Sequence, residues 1–216
     1  MLTIENAETF GWEAAIRGMR SPKNSWDKSD SCWSSPNENG TDKPMYIIGE
    51  NDLKLMHTLA AAGQDHGKFL RMIHVQLDVT APLYWWKEAD QYKVGTVTDS
   101  CSTMHKIHAK EFTMDDFSHE HLNVVSNDYL EDTVHQLNIC RQDFIRTQDK
   151  VHWWQMIQLL PSSYNQRRTW DLNYAVLRNI YHARKGHRLD EWKTLLDWIE
   201  TLPYAKELIC GVGKNL

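Results

Sequence analysis

The stretch Gln91–Lys106, QYKVGTVTDSCSTMHK, gathers hydroxyl, carboxylate, basic and thiol side chains in one short segment. Cys101 stands among hydroxyls, with Lys93 and His105 nearby. A cation or a histidine that lowered its pKa would make this thiol a nucleophile toward a carbonyl or an electron-poor ring carbon. It could equally be a small residue in the wall of a ligand loop, since a lone cysteine packs as a small apolar group. Glu88, Asp90 and Asp99 add carboxylates of the kind that move protons. A metal reading can be drawn from Cys101, His105 and His108, or from His119 and His121. It lacks an HExxH pair, a CxxC pair and a facial-triad spacing, so no metal centre is expected.

A second group lies near the C-terminus, in RRTWDLNYAVLRNIYHARKG. At 100° per residue, Asn173, Leu177, Ile180 and Arg184 share one helix face, and Leu172, Val176, Asn179 and Ala183 form the adjoining strip. Asn173 and Arg184 then stand about 16 Å apart along the axis, the span of an extended ligand. A guanidinium fork at Arg184 suits a phosphate or a pair of carbonyls. The cluster Arg184, Lys185, His187 and Arg188 also complements the negative pole of a helix dipole without any ligand. Arg167 and Arg168 form a further basic pair, either solvated or phosphate-binding. Trp85–Trp86, Trp153–Trp154, Tyr84 and Tyr92 could stack on a flat ligand or fill a core. Neither GxGxxG nor GxxxxGK occurs, which argues against a Rossmann site and a Walker loop.

The elements that must position these groups are legible in part. A chain of 216 residues without an internal linker predicts one domain over 1–216. The net charge of −5 disfavours a surface that grips a long nucleic acid, while a mononucleotide remains compatible. Four dispersed cysteines, no leader-like N-terminus and no bilayer-length apolar run predict a soluble cytoplasmic protein with no membrane partner. Helices are expected over 11–20, 52–62, 82–92 and 189–199, and over much of 114–148. Another ends at Leu160, before Pro161. Residues 172–185 form one more, capped by Thr169 or Asp171 and stopped by Gly186. Ile73, Val75, Leu77 and Val79 alternate with polar residues, which marks a strand that Pro82 ends. Residues 21–48 read as a long loop and VGTVTDSCST as a short one. The sum is an α+β fold, mainly helical, with a smaller antiparallel or mixed sheet.

The order strand HVQLDVTAP, helix PLYWWKEAD, QYK and hydroxyl loop resembles the flavin-dependent thymidylate synthase (thymidylate synthase complementing protein) family. In that family a strand ends in an Ala-Pro step, an aromatic helix follows, and then a signature RHRxxSxNExSxR. On this frame Gln91, Tyr92 and Lys93 fall on Arg-His-Arg, and Thr96 on the first serine. Thr98 and Asp99 fall on Asn-Glu, Cys101 on the second serine and Thr103 on the last arginine. Downstream, LLPSSYNQRRTWDLNYAVLRNIYHAR resembles the family's LP step and its helix bearing Asn, Asn and Arg, here Asn173, Asn179 and Arg184. AAIRGMRS and His66 fall near family segments at the nucleotide and the flavin.

The resemblance implies FAD as cofactor, with His66, Asn173 and Asn179 in its environment. It implies a pyrimidine deoxynucleotide substrate met by Glu88, Gln91, Lys93, Thr96, Asp99, Cys101, Thr103 and Arg184. It further implies methylenetetrahydrofolate as carbon donor, NADPH as reductant and a homotetramer. Arg184, Cys101 and Lys93 become the candidate catalytic groups. The family reaction is methyl transfer to C5 of the base, with hydroxymethylation as a related outcome; a non-catalytic flavin- or nucleotide-binding protein on the same scaffold is the alternative. Gln91, Thr103 and Ile157 stand where the family carries arginines, and each loss removes a charge and a rigid fork. Lys93 keeps the cation without the fork, and Asp99 keeps an acid one methylene shorter.

Overall fold

The computed structural model describes residues 1–34 and 45–211. In chain order its elements are β1 (Thr3–Phe10), α1 (Trp12–Arg20), β2 (Cys32–Trp33), β3 (Tyr46–Ile47), α2 (Glu50–Ala61), β4 (His74–Pro82), α3 (Leu83–Ala89), β5 (Val97–Ser100), α4 (Val124–Thr147), α5 (Lys150–Leu159), β6 (Asn165–Asn173), α6 (Tyr174–Arg184) and α7 (Asp190–Ile199). The fold is α+β and mainly helical, around an antiparallel sheet in the order β1-β4-β6-β5. A separate two-stranded pair joins β2 to β3.

The expected strand is the sheet's organiser. Val75, Leu77, Val79 and Ala81 of β4 are all buried, and β1 and β6 pair on either side of it. Over their inward face lies a core built on fully buried Trp85, Trp86, Trp170 and Trp192, whose neighbouring rings meet mostly edge to face. Large flat side chains of this kind bury much apolar area while fixing few rotamers. A second cluster joins Leu130, Val134, Leu137 and Cys140 of α4 to Met156 of α5, and Phe112 and Phe117 close it. The expected helical rhythm of 114–148 resolves into a 3-10 turn at Met114–Asp116 and the long helix α4; Leu122, which precedes that helix, and Val125 and Ile139 within it are exposed rather than core.

Three expectations are corrected. The segment expected to be a loop after Gly95 contains the edge strand β5, paired to β6 from Val97↔Asp171 to Ser100↔Arg168. Thr169 and Asp171 do not cap a helix; they lie in β6, and the cap of α6 is Asn173, whose side chain accepts from the Val176 N–H at 3.1 Å. The expected loop 21–48 is partly organised: two 3-10 turns, β2 and β3 occupy it, while 35–44 lie outside the described residues. Its anchor is Asp52, fully buried in α2, which accepts from Arg20 Nε at 2.6 Å, Ser29 Oγ at 2.6 Å and Ser31 Oγ at 2.7 Å. Burial pushes the Asp52 pKa up, but these hydrogen bonds outweigh it and hold the carboxyl below its usual range.

Candidate active site

Arg184 ends α6 against α3 and α7. Its Nε donates to the Tyr92 hydroxyl and its Nη1 to Glu88 Oε2, both at 2.9 Å. The guanidinium lies 4.5 Å from the Trp192 ring centroid, close enough for a cation–π contact. The same Glu88 oxygen accepts from Trp192 Nε1 at 3.1 Å and lies 3.3 Å from His187 Nε2. Glu88 is therefore held by groups from α6, α7 and the turn between them, and it orients Arg184 in return. The Arg184 side chain is only 15% exposed, so this cation sits in a wall rather than on a solvated helix end.

Two clefts flank the loop that follows Tyr92. The first, of about 340 Å³, is lined by Trp86, Asp90, Tyr92, Lys93, Thr96 and Thr98 against Trp170. Arg168 stacks 4.3 Å from the Trp86 centroid and pairs with Asp90 at 2.7 Å, so a cation stands at its edge. The second, of about 470 Å³, lies between the 3-10 turn Gly67–Met72 and α6 and is lined by Arg71, Val94, Gly95, Asn173, Val176 and Asn179. Asn173 is buried there and donates from Nδ2 to the Gly95 carbonyl at 3.3 Å. Asn179 is exposed on the cleft, whereas His66, the exposed residue before Gly67, does not line it.

The expected site residues thus fall into separate groups. Glu88, Tyr92 and Arg184 touch; Lys93 and Thr96 line one cleft; Asn173 and Asn179 line the other. The presumed ligand strip along α6 is interrupted, because Leu177 and Ile180 between its ends are fully buried in the core. Asp99 and Cys101 leave the first cleft because β5 is a strand. Thr98 sits opposite core-facing Trp170, whereas Asp99 sits opposite Thr169, which itself pairs with Asp78 on the sheet's polar face. The Cys101 N–H donates to the Arg167 carbonyl at 3.0 Å and its own carbonyl accepts from Gln166 Nε2 at 2.7 Å. Its side chain is exposed, and among the described residues no basic group hydrogen-bonds the thiol. Gln91 is exposed and Thr103 half-buried.

On the polar face Asp78 accepts from Thr169, Arg167 and Asn6, which hold its carboxyl well below the ordinary range. His119 and His121 bond the Phe117 carbonyl and Asp190. Among the described residues no group of three or more His, Cys, Asp or Glu side chains is placed to hold a metal ion. No described helix is long and apolar enough to cross a membrane. Arg71 and Trp192 carry no local sequence signal for a site; only the fold puts them beside these groups.

No family model and no curated protein matches the chain. Solved structures do. A flavin-dependent thymidylate synthase ThyX from Helicobacter pylori, complexed with FAD and dUMP, matches at a TM-score of 0.67 and 15% identity over 98% of this chain and 99% of that one. A second structure of Helicobacter pylori ThyX with FAD and dUMP matches at 0.69 and 15% over the whole of both chains. The fold is that of the flavin-dependent thymidylate synthases. A UMP/dUMP methylase, PolB, from Streptomyces cacaoi bound with 5-Br dUMP matches at 0.60 and 12%, over 99% of this chain and 96% of that one. Two stretches that carry the sequence resemblance, 14–21 and 159–184, fall on α1 with the residue after it and on the end of α5 through β6 and α6.

Proposed function

We propose that the chain is a flavin-dependent one-carbon transferase that methylates or hydroxymethylates C5 of a pyrimidine deoxynucleotide such as dUMP, using methylenetetrahydrofolate as carbon donor, with NADPH as reductant for the methyl product and water in place of hydride for the hydroxymethyl product. The observation that carries this reading is the oriented Arg184, flanked by Glu88 and Tyr92 and stacked on Trp192, on a fold shared with FAD- and dUMP-bound proteins. The reading takes 1–216 as one domain acting in the cytoplasm. It also takes the chain as a homo-oligomer, a homotetramer by the family resemblance, and exposed Val124, Val125 and Tyr129 on α4 are consistent with a further contact.

The donor set fits a flavin. A cleft of about 470 Å³ is of ligand size, and Asn179 and Arg71 offer an amide and a guanidinium at its surface. Asn173 would act by holding the Gly95 carbonyl and the wall it belongs to, and His66 from its place before the 3-10 turn Gly67–Met72. Bound in reduced form, FAD would supply the hydride that completes a methyl group. The protein's own part is positional and electrostatic. Nη2 of Arg184 has the donors to neutralise charge that develops on a base carbonyl as C5 becomes nucleophilic. Lys93, beside Thr96 in the first cleft, offers a cation for the nucleotide anion. Glu88 fixes the fork, so little reorganisation is needed at reaction.

Gln91, Thr103 and Ile157, neutral where the resembled family carries arginines, favour one other reading, a flavin- or nucleotide-binding protein without turnover. Absorbance of the purified chain in the oxidised-flavin bands tests flavin binding. Assays with reduced flavin, methylenetetrahydrofolate and dUMP or dCMP then separate the readings. Product formation supports the transferase; flavin and nucleotide binding without product supports the second reading; absence of both binding activities overturns both.

A further inference from the structure

At the β1 edge of the sheet, opposite the β5 edge, the start of α1, the β2–β3 pair and the segment after α7 line a cleft of about 960 Å³ that shares no lining residue with the clefts beside Arg184 and Asn173. Rings from Phe10, Trp33, Tyr46, Trp198 and Tyr204 contribute to its walls. Trp33 and Tyr46 meet edge to face, with centroids 5.2 Å apart and planes at 71°. Trp33 nevertheless stays 56% exposed and Phe10 42%, although Phe10 is stacked on His74 on one side.

One carboxylate faces the same space. Glu13, in the first turn of α1, accepts from Trp33 Nε1 at 3.2 Å, which fixes the indole and the acid relative to one another. Aromatic faces are electron-rich and the carboxylate is anionic, so both attract the same sign of charge. Tyr46 senses that field. Burial raises its phenol pKa first, and Glu13 and Asp52 raise it further. Arg17 also lines the cleft, but it is 65% exposed and its Nη1 only reaches 3.9 Å from Glu13. It is a loosely held competitor for Glu13 rather than a clamp.

We propose that this cleft binds an organic cation of the alkylated-ammonium class, with Trp33, Tyr46 and Phe10 as the aromatic box and Glu13 as counter-ion. An anionic ligand would use Arg17 and be repelled by Glu13, so charge-neutralising substitutions at these two positions must act in opposite directions for the two ligand classes. None of these residues lines the clefts beside Arg184 and Asn173, although Ala14 and Arg17 belong to the stretch AAIRGMRS, which resembles a nucleotide-site segment; choline titration reads this cleft without flavin or nucleotide, so its failure is distinguishable from failure of the proposed reaction.

The probe is choline, with 3,3-dimethylbutan-1-ol as its neutral isostere, titrated into the full chain by calorimetry at constant ionic strength. Choline should bind at least about fivefold more tightly than the alcohol, as cation–π and ion-pair attraction require. Glu13→Gln should weaken choline severalfold, Arg17→Gln should strengthen it, and Trp33→Leu should abolish the preference for the cation. Glu13→Gln preserves side-chain shape and so reports on charge alone, and Arg17→Gln removes the competing cation from an exposed side chain, so both inform even where Trp33→Leu disturbs the β2–β3 pair. Equal binding of choline and alcohol, weakening by Arg17→Gln with strengthening by Glu13→Gln, or no saturable choline binding in the millimolar range would each overturn the proposal.

Discussion

Arg184 and Glu88, 96 residues apart in the chain, are joined by a 2.9 Å charge-assisted hydrogen bond, and Trp192 donates to the same carboxylate oxygen. Arg184→Ala should weaken binding of dUMP or dCMP by at least about tenfold, the scale of a hydrogen bond to a charged group. Arg184→Lys should not restore it, since an ammonium cannot donate to Glu88, Tyr92 and a ligand in one plane. Dissociation constants measured by calorimetry check both, and values unchanged from the parent would remove Arg184 from the site.

Cys101 lies on the β5 edge with its backbone tied to Arg167 and Gln166. Cys101→Ser is expected to preserve turnover in the reduced-flavin assay, because no base is hydrogen-bonded to the thiol among the described residues. Loss of turnover with intact nucleotide binding would instead identify a nucleophile, one able to add to C6 of the pyrimidine ring.

Asp52 gathers Arg20, Ser29 and Ser31 in a buried cluster. Asp52→Ala should cost about 3–5 kcal/mol in urea unfolding, since it leaves the Arg20 charge buried without a counter-charge. The pH dependence has a definite sign. The folded carboxyl is held below its unfolded pKa, so its stabilisation is complete above the ordinary carboxylate range and fades as pH falls through the lowered folded value. Asp52→Asn should therefore flatten the acid limb of the stability profile, and an unchanged limb would assign acid sensitivity elsewhere.

Gly95 has φ +79°, and a Cβ there would stand 2.9 Å from Asn173 Nδ2. Gly95→Ala should destabilise the chain by about 1–2 kcal/mol from the left-handed backbone alone. If Asn173 moves to relieve the contact, flavin affinity should fall as well. Urea midpoints and flavin titration measure the two effects separately, and full retention of both would show that the cleft wall does not depend on this contact.

Strong periodicity made β4 and α1 readable from residue types alone. In β4 every second residue is buried against the core, and in α1 Trp12, Ala15, Ile16 and Met19 form one inward stripe. The mainly helical α+β class followed from such segments. β5 escaped because an edge strand with both faces wet carries no alternation: Val97, Thr98, Asp99 and Ser100 are all exposed. β6 escaped because its inward positions include Gln166 and Arg168, polar groups that bond each other and are further satisfied by partners elsewhere, the Cys101 carbonyl and Asp90.

The candidate site divides in the same way. Arg184, Asn173, Asn179 and Glu88 could be selected by residue type, helix spacing and family resemblance, all of which are local properties of the chain. Whether Arg184 met Glu88, whether Asn173 capped a helix or lay along it, and which sheet face received Cys101 depended on contacts between distant segments. Those choices were made by pairing register and by the burial of the tryptophan core, because a one-residue change in strand phase reverses every side chain and no short stretch of sequence encodes it.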